Sequence, residues 1–425
     1  MHGRQRSRGI PVALRCAATL ALAIAGLIVA TSQGGLAQTF TVLHAFTGGP
    51  DGSGPYADVT LDASGNLYGT TSGTGGSGAG TVFRLRQIDG SWILDTLYSF
   101  SGGEDGAFPY SGVTIAHDGT LYGTTSAGGG IPCNDPYGCG TIFHLSPPPN
   151  VPRTATFPWN ETVLYRFTGE DDGQNPEGGS LTLDAAGNLY GTAIGGQFND
   201  GVVFEVSHSQ SGWTESVLYA AHDLTDGERP NAGVVFDRSG NIYGVMGIGG
   251  DSGGGVVYEL SLSGSQWTEQ TIYNIRGGQY GSGPEGQLII DSSGHLYGTT
   301  CCAGPDGSGT VFEMFEDNGN WGYSVLWGFL CLPAGSCDGP DSKVVMDAAG
   351  NLYGTTVTGG IYNCGTAYKL TYSSGGWQHS TLHDFTGGSD GCQLRGAVAV
   401  DANGNVYGTT VSGGQGHGVV FQIAQ

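Results

Sequence analysis

Short apolar runs alternate with polar, glycine-rich segments along most of this chain, a pattern typical of β-strands joined by turns. In the clearest example, Val59-Thr60-Leu61 is the first run, and the turn residues 62–66 lead into a second run within 65–71. A third run at 81–85 and a fourth at 92–100 follow. No helical periodicity is present beyond the first 37 residues. The pattern predicts an all-β fold with four short strands per unit.

This unit recurs along the chain. Its second run carries the motif Gly-Asn-Leu-Tyr-Gly-Thr-Thr, whose tyrosine returns at steps of 54, 68, 53, 54, 56 and 54 residues. A period near fifty residues with four strands in each unit is the signature of a β-propeller. We therefore predict one seven-bladed β-propeller domain with four-stranded antiparallel blades over residues 38–425. The seven tyrosines are Tyr68, Tyr122, Tyr190, Tyr243, Tyr297, Tyr353 and Tyr407.

The two ends of the repeat array complement each other. Residues 39–46 read as a fourth strand with no third strand before it, and Gln425 comes directly after a third strand. We predict that the N-terminal strand completes the last blade, which closes the ring and leaves no open sheet edge.

Residues 1–37 have the layout of a secretory signal peptide: four arginines, an apolar core from Ala17 to Ala30, and a small-residue site at 35–37. An uncleaved anchor is the alternative. Removing the segment leaves 10 basic against 37 acidic residues, so the mature net charge is 10 − 37 = −27. So acidic a surface repels nucleic acid and anionic lipid. We expect a secreted monomer, extracellular or periplasmic, that binds no nucleic acid and does not insert into membranes.

An even set of cysteines in an exported chain favours disulfides. Five of them fall in loops between second and third strands and three in loops between units, which emerge on one rim of a propeller. We expect Cys133 to pair with Cys139, Cys364 with Cys392, and the adjacent pair 301/302 with Cys331 and Cys337 in an open order. Spacings typical of zinc sites are absent. The eight cysteines beyond residue 37 are Cys133, Cys139, Cys301, Cys302, Cys331, Cys337, Cys364 and Cys392.

The same rim carries a repeated acidic position followed by proline. The carboxylates could ring the channel mouth and bind a cation or sugar hydroxyls, or they could simply stabilise turns, since Asp-Gly before Pro is ordinary turn chemistry. Calcium is only weakly indicated, because the ligand spacing of a helix-loop-helix site is missing; otherwise we expect no cofactor. The aspartates are Asp51, Asp105, Asp172, Asp226, Asp338 and Asp390, and Tyr280 replaces one of them. Rim aromatics that could stack on sugars are Tyr56, Tyr110, Tyr137, Tyr280 and Tyr362.

Other candidates for chemistry are weaker. His44 and His383 occupy the slot that Tyr98 fills elsewhere, and in a closed ring their blades are neighbours, so a metal pair is conceivable; an aromatic structural role is favoured. A carboxylate-based hydrolase or lyase would need acids that depart from the repeat. No such pair stands out among the scattered candidates Glu104, Glu170, Asp171, Glu177, Glu228 and Glu285.

With its seven copies of Gly-Asn-Leu-Tyr-Gly-Thr-Thr, then Gly-Thr-Val-Phe, then Leu-Tyr-x-Phe, the chain resembles the bacterial family of choice-of-anchor tandem repeat GloVer-containing proteins over residues 39–425. The resemblance implies exported repeat proteins with varied C-terminal anchors and no assigned activity. Because Gln425 follows the last strand directly, we expect release instead of anchoring. The turns also resemble those of streptogramin lyase-type propellers, without their catalytic residues.

Taken together, these features favour a secreted binding module whose disulfide-stapled rim recognises a glycan or an extracellular protein. Two alternatives stay open because fold does not fix function: a carbohydrate-active hydrolase or lyase that uses rim carboxylates, and a structural surface protein. No catalytic residue is predicted.

Overall fold

The computed structural model describes residues 38–425 except 74, 76, 77, 132, 134–136, 150–156 and 331–338. The predicted signal peptide therefore lies outside the described residues, as do Asp338, Cys331 and Cys337. Residues Thr39–Ala424 form one unit. Within the described ranges, no helix combines the length and the apolar character needed to cross a membrane.

The described chain contains 28 strands and one short 3₁₀-helix, Gly278–Tyr280. The first half comprises β1 Thr39–Ala45, β2 Thr60–Leu61, β3 Leu67–Thr71, β4 Thr81–Ile88, β5 Ser91–Ser99, β6 Thr114–Ile115, β7 Leu121–Thr125, β8 Thr141–Ser146, β9 Asn160–Arg166, β10 Thr182–Leu183, β11 Leu189–Ala193, β12 Val202–Ser209, β13 Gly212–Ala220 and β14 Val235–Phe236. The second half comprises β15 Ile242–Met246, β16 Val256–Ser263, β17 Gln266–Asn274, β18 Ile289–Ile290, β19 Leu296–Thr300, β20 Gly307–Asp317, β21 Asn320–Leu330, β22 Val345–Met346, β23 Leu352–Thr356, β24 Thr366–Ser373, β25 Gly376–Asp384, β26 Ala399–Val400, β27 Val406–Thr410 and β28 Val419–Ala424.

The strands form seven four-stranded antiparallel sheets, so the protein is a seven-bladed β-propeller. Six sheets use consecutive strands, as in the order β2-β3-β4-β5 of the first blade. The seventh has the order β1-β28-β27-β26, with Phe40 opposite Ile423 and Val42 opposite Phe421. The N-terminal strand therefore completes the last blade, as the complementary ends predict.

The repeated motif stabilises the turn between the two inner strands of each blade. In the first blade, one carboxylate oxygen of Asp62 accepts hydrogen bonds from the backbone N–H groups of Ser64 and Asn66. Its other oxygen accepts from the Asn66 side chain and from the Tyr68 hydroxyl, the latter at 3.2 Å. These contacts explain why aspartate, asparagine and tyrosine recur together in Asp-x-x-Gly-Asn-x-Tyr.

The core lies mainly between neighbouring blades. At four blade junctions, the phenylalanine after an outer strand packs against the phenylalanine of the third strand in the next blade, as Phe46 does on Phe83 with ring centroids 5.3 Å apart. Phe100 and Phe143 repeat the contact at 5.1 Å, and all four side chains are fully buried. The side chains at these two aromatic positions therefore form the contact between neighbouring blades.

Candidate functional site

Two kinds of loop meet on one face of the propeller: those joining consecutive blades, and those joining the second and third strands within a blade. Isolated β-bridges such as Ser53 to Gly73 and Ala107 to Ala127 connect them. We call this face the loop rim. The two loop types thus share one face, as the propeller topology predicts.

Each described rim aspartate makes its hydrogen bonds to its own loop and to the outer strand that precedes it. Asp51 accepts from the backbone N–H of Thr47 at 2.9 Å, from its hydroxyl at 2.5 Å, and contacts Nε2 of His44 at 3.0 Å. Burial opposes ionisation of Asp51, but these hydrogen bonds hold its pKa below the usual value. The hydrogen bonding matches the turn interpretation; a ligand-binding role for the aspartates stays a prediction.

Four other repeats have the same arrangement, at Asp105, Asp172, Asp226 and Asp390. Asp105 and Asp172 accept hydrogen bonds from the hydroxyls of Tyr98 and Tyr165 at 3.0 and 2.8 Å, and Tyr219 donates to Asp226. His383 contacts Asp390 at 3.1 Å in the same way that His44 contacts Asp51. Each histidine thus pairs with its own loop aspartate in the slot of a tyrosine, and no group of three or more metal-ligating side chains occurs among the described residues.

The rim proline positions the residue that follows it. Pro109 packs against Gly80, the residue just before β4 of the preceding blade, so closely that a Cβ on Gly80 would lie 2.6 Å from the proline Cδ. Pro55 meets Gly418 and Pro284 meets Gly255 in the same way, at 2.7 and 2.5 Å. These contacts fix the loop at the entrance to the central channel.

The residue after this position is one of five types (Tyr, Glu, Asn, Asp or Arg) and lines the entrance, which we call the channel mouth. It is a cavity of about 130 Å³. Its seven ring residues, in blade order, are Tyr56, Tyr110, Glu177, Asn231, Glu285, Asp341 and Arg395. The structure therefore brings predicted residues Tyr56 and Tyr110 together with the acidic candidates Glu177 and Glu285.

Tyr56 and Tyr110 form one side of the mouth. Their ring centroids are 5.3 Å apart and the ring planes are perpendicular, at 89°. Tyr110 is 36% exposed and Tyr56 is half-buried. Burial raises the pKa of Tyr110, and repulsion from Tyr56 and Glu177 adds to the effect. Tyr110 therefore stays neutral near pH 7, and both side chains present ring surface and a hydroxyl to the mouth.

The other predicted aromatics lie away from the mouth. Tyr280 ends the 3₁₀-helix, where its carbonyl accepts a hydrogen bond from Tyr323 at 2.7 Å. Tyr137 and Tyr362 are exposed, at 68% and 56%, in the loops before β8 and β24.

Below the mouth, the channel narrows to a waist. Lys343 and Asp58 form an ion pair of 2.8 Å, and Asp58 also accepts from the backbone N–H of Ala397 at 2.6 Å. Burial disfavours the Asp58 carboxylate, but Lys343 holds its pKa below the usual value. The Gln287 side chain donates to the Val234 carbonyl at 2.8 Å.

Backbones also converge at the waist, where a Cβ on Gly179 would lie 2.4 Å from the Gly233 nitrogen. Gln287 and Lys343 line both the mouth and a second cavity of about 760 Å³ on the opposite face. That lower cavity is walled by the inner-strand turns, including Asp62 and His117. The mouth is therefore a shallow pocket above the waist.

The sequence pattern did not identify Asn231, Asp341, Arg395, Asp58, Gln287 or Lys343 as site residues. The signal was present, however. The position directly after that of the repeated proline holds Tyr, Tyr, Glu, Asn, Glu, Asp and Arg in the seven blades, whereas a small residue (Ala, Ser or Gly) follows it in every blade. A polar position that varies inside a repeat is a candidate for binding, because the repeated turn does not require one residue type there.

The disulfides partly differ from expectation. Cys133 is bonded to Cys139 and Cys364 to Cys392, with Cα atoms 5.9 and 4.5 Å apart. Cys301, however, is bonded to Cys302, so the predicted pairing of these two with Cys331 and Cys337 is wrong. Both residues follow β19 directly, and their backbone N–H groups bind the carbonyls of Gly283 and Ser282. Being adjacent, they are within reach of each other whatever the neighbouring loop does.

A solved structure of low sequence identity shares the fold, and others are similar to a lesser degree. A putative 6-phosphogluconolactonase from Bacteroides uniformis has a TM-score of 0.50 at 13% identity, covering 81% of this chain and 88% of its own. A protein from Lactobacillus plantarum has a TM-score of 0.47 at 15% identity, covering 81% and 91%, and a Dyadobacter fermentans protein of unknown function has 0.44 at 13%, covering 92% and 99%. At these identities the likeness concerns the fold alone. Among curated proteins, no sequence matches this chain.

The family comparison agrees with the repeat pattern. The model of the Gloeobacter/Verrucomicrobia repeat matches residues 25–214 and 134–336, which together exceed half of the chain. With its seven repeats folded as the blades of one closed ring, the chain belongs to the Gloeobacter/Verrucomicrobia repeat family.

Proposed function

We propose that this protein is an exported carbohydrate-binding module and that the channel mouth holds the ligand. The observation that carries the proposal is the perpendicular pair Tyr56 and Tyr110, set among hydrogen-bonding side chains in one concave site. A sugar ring has an apolar C–H face, which packs on aromatic rings, and hydroxyls, which need donors and acceptors. Binding sites of this kind combine apolar surface with a few placed polar groups.

Side chains that can hydrogen-bond to sugar hydroxyls line the other side of the mouth. Asn231 offers both a donor and an acceptor, and Glu285 and Asp341 offer acceptors. Arg395 lies 3.1 Å from Asp341, so its orientation is set by that ion pair. The leader-like residues 1–37 and the disulfides support export to an oxidising compartment.

Binding to a panel of immobilised oligosaccharides tests the proposal, using the purified protein expressed with its own leader. We expect at least one oligosaccharide to bind, and Tyr56→Ala and Tyr110→Ala each to weaken binding about tenfold, because aromatic side chains dominate such interfaces. Tyr372→Ala is the matched control, since Tyr372 is 67% exposed at the β24–β25 hairpin, outside the mouth.

Two results would contradict the proposal: no binding to any saccharide, or equal affinities for the mouth variants and the parent protein. Each positive saccharide is also analysed for new reducing ends or unsaturated products. Their appearance would assign the protein to the hydrolase or lyase class instead, with the carboxylates of the mouth as candidates.

A further inference from the structure

More negatively than positively charged side chains line the mouth and waist. Four carboxylates and two cationic side chains line this cavity, so the formal sum is 2 − 4 = −2. Both cations already have partners: Lys343 contacts Asp58 at 2.8 Å, and Arg395 contacts Asp341 at 3.1 Å. The remaining charge therefore comes from the other two acids, and the whole protein, with a formal net charge of −23, adds to the negative potential.

Glu177 is an acid of the mouth whose charge no described cationic side chain neutralises. Its carboxylate makes no hydrogen bond or ion pair to any residue in the described part of the chain. The side chain reaches solvent, yet the walls of the mouth crowd it, and this partial desolvation raises its pKa. A cation bound beside Glu177 would relieve this cost, since opposite charges nearby favour the ionised carboxylate.

Tyr56 and Tyr110 belong to the two blades that precede the blade of Glu177. Tyr56, Tyr110 and Glu177 are ring residues of three consecutive blades, so two ring surfaces and one unpaired carboxylate converge on the same side of the mouth. Perpendicular aromatic rings beside an acid are the arrangement that binds an ammonium group, because the ring faces carry negative potential. A neutral hydroxyl gains much less from the same surroundings.

The size of the pocket limits what can enter. The mouth holds about 130 Å³, well below the roughly 300–1,000 Å³ of sites that enclose a whole small ligand. A long chain can therefore place only a terminal unit in it.

We propose that the mouth binds the terminal residue of an oligosaccharide and that this residue is an amino sugar with a free, positively charged amine. The inference rests on the proposed carbohydrate-binding function and specifies its ligand class. Glu177 takes the ammonium group, Tyr56 and Tyr110 supply cation–π contact, and Asn231 with the ion-paired residues contacts the hydroxyls.

Three oligosaccharides of equal length separate this proposal from the general one: a glucosamine oligomer, its N-acetylated form, and the glucose oligomer with the same β-1,4 linkage. We expect the glucosamine oligomer to bind at least tenfold more tightly than the two neutral ones, with affinity falling as salt is added. An oligomer deacetylated only at its terminal residue should match the fully deacetylated one.

The variant Glu177→Gln keeps the shape and removes the charge. We expect it to lower affinity for the glucosamine oligomer about tenfold and to leave neutral saccharides unaffected, with a melting temperature no lower than that of the parent, because removing a partly desolvated charge does not destabilise the fold. Glu104→Gln, an exposed rim acid outside the mouth, is the charge-matched control.

Several outcomes would overturn the inference. If neutral saccharides bind as tightly as the glucosamine oligomer, or if Glu177→Gln binds it normally, the amine is not recognised, although the carbohydrate-binding function stands. If a lysine-terminated peptide binds through Glu177 and no saccharide does, the ligand is a protein and both proposals are wrong.

Discussion

At the scale of single residues, the repeat separates positions that hold the fold from positions free to vary. Gly80 belongs to the first group: its φ is +98°, and an added Cβ would lie 2.4 Å from the Thr71 carbonyl and 2.6 Å from Pro109. Gly90, in the β4–β5 turn of the same blade, has a φ of +81° and open space around it. The two glycines therefore share a left-handed backbone conformation, but only Gly80 is in close contact with neighbouring residues.

This contrast gives a prediction about stability. Gly90→Ala should lower the free energy of unfolding by about 1–2 kcal/mol, the cost of a left-handed alanine. Gly80→Ala should cost roughly 1–3 kcal/mol more, because it also overpacks the contact that positions the mouth. Chemical denaturation of both variants measures the difference. Equal decreases in the free energy of unfolding would show that Pro109 can move away from the added methyl group without destabilising the protein.

At the scale of elements, three consecutive outer strands carry a buried acid in the cleft facing the preceding blade. Glu161 on β9 and Glu215 on β13 each have a buried carboxylate oxygen with no hydrogen-bond partner in the described structure. Burial raises the pKa of both to about 7, with Asp105 and Asp172 adding repulsion and Arg166 opposing it at Glu161. Glu269 on β17 has a raised pKa too, chiefly through burial.

These acids make stability depend on pH. The folded pKa of about 7 for Glu161 and Glu215 exceeds the ordinary value of 4.5, so the native state binds protons that the unfolded state has released. The stabilisation is complete below pH 4.5 and is lost as pH rises through about 7. The melting temperature should therefore fall between pH 5 and pH 8.

The double variant Glu161→Gln/Glu215→Gln should reduce that fall and melt a few degrees above the parent at pH 8, with little change at pH 5. Glu104→Gln removes one exposed charge and is the control. Scanning calorimetry at the two pH values decides the matter, and parallel curves for parent and variant would show that the clefts admit water and leave these acids unperturbed.

The sequence predicted the strands because each repeat contains the same pattern of apolar runs and turn residues, and seven copies show that pattern more clearly than one. It did not predict the mouth, because Tyr56, Glu177 and Arg395 lie far apart in the chain and have no common chemistry. Only ring closure brings them together. The Cys301–Cys302 bond was missed for a different reason: cysteine spacing does not show whether two adjacent cysteines bond to each other or each to another rim loop.

At the scale of the whole molecule, the ring depends on β1. This strand pairs with β28 along its length, and Phe40 within it packs on His383 at 4.0 Å and on Phe421 at 5.8 Å. Just beyond it, Phe46 contacts Phe83 of the first blade at 5.3 Å. The segment thus links the last blade to both of its neighbours.

Deleting residues 38–47 should lower the melting temperature sharply and cause concentration-dependent association, because it exposes the edge of β28 and the apolar surface beneath. Thr41→Ala, at an exposed position of β1, should leave the midpoint unchanged. A synthetic peptide of residues 38–47 added to the truncated protein should restore part of the stability and suppress association, since it can pair with the same edge. Differential scanning calorimetry and sedimentation measure both effects. If the truncated protein melts at the parent temperature and stays monomeric, the contacts between blades hold the ring by themselves, and β1 is dispensable for closure.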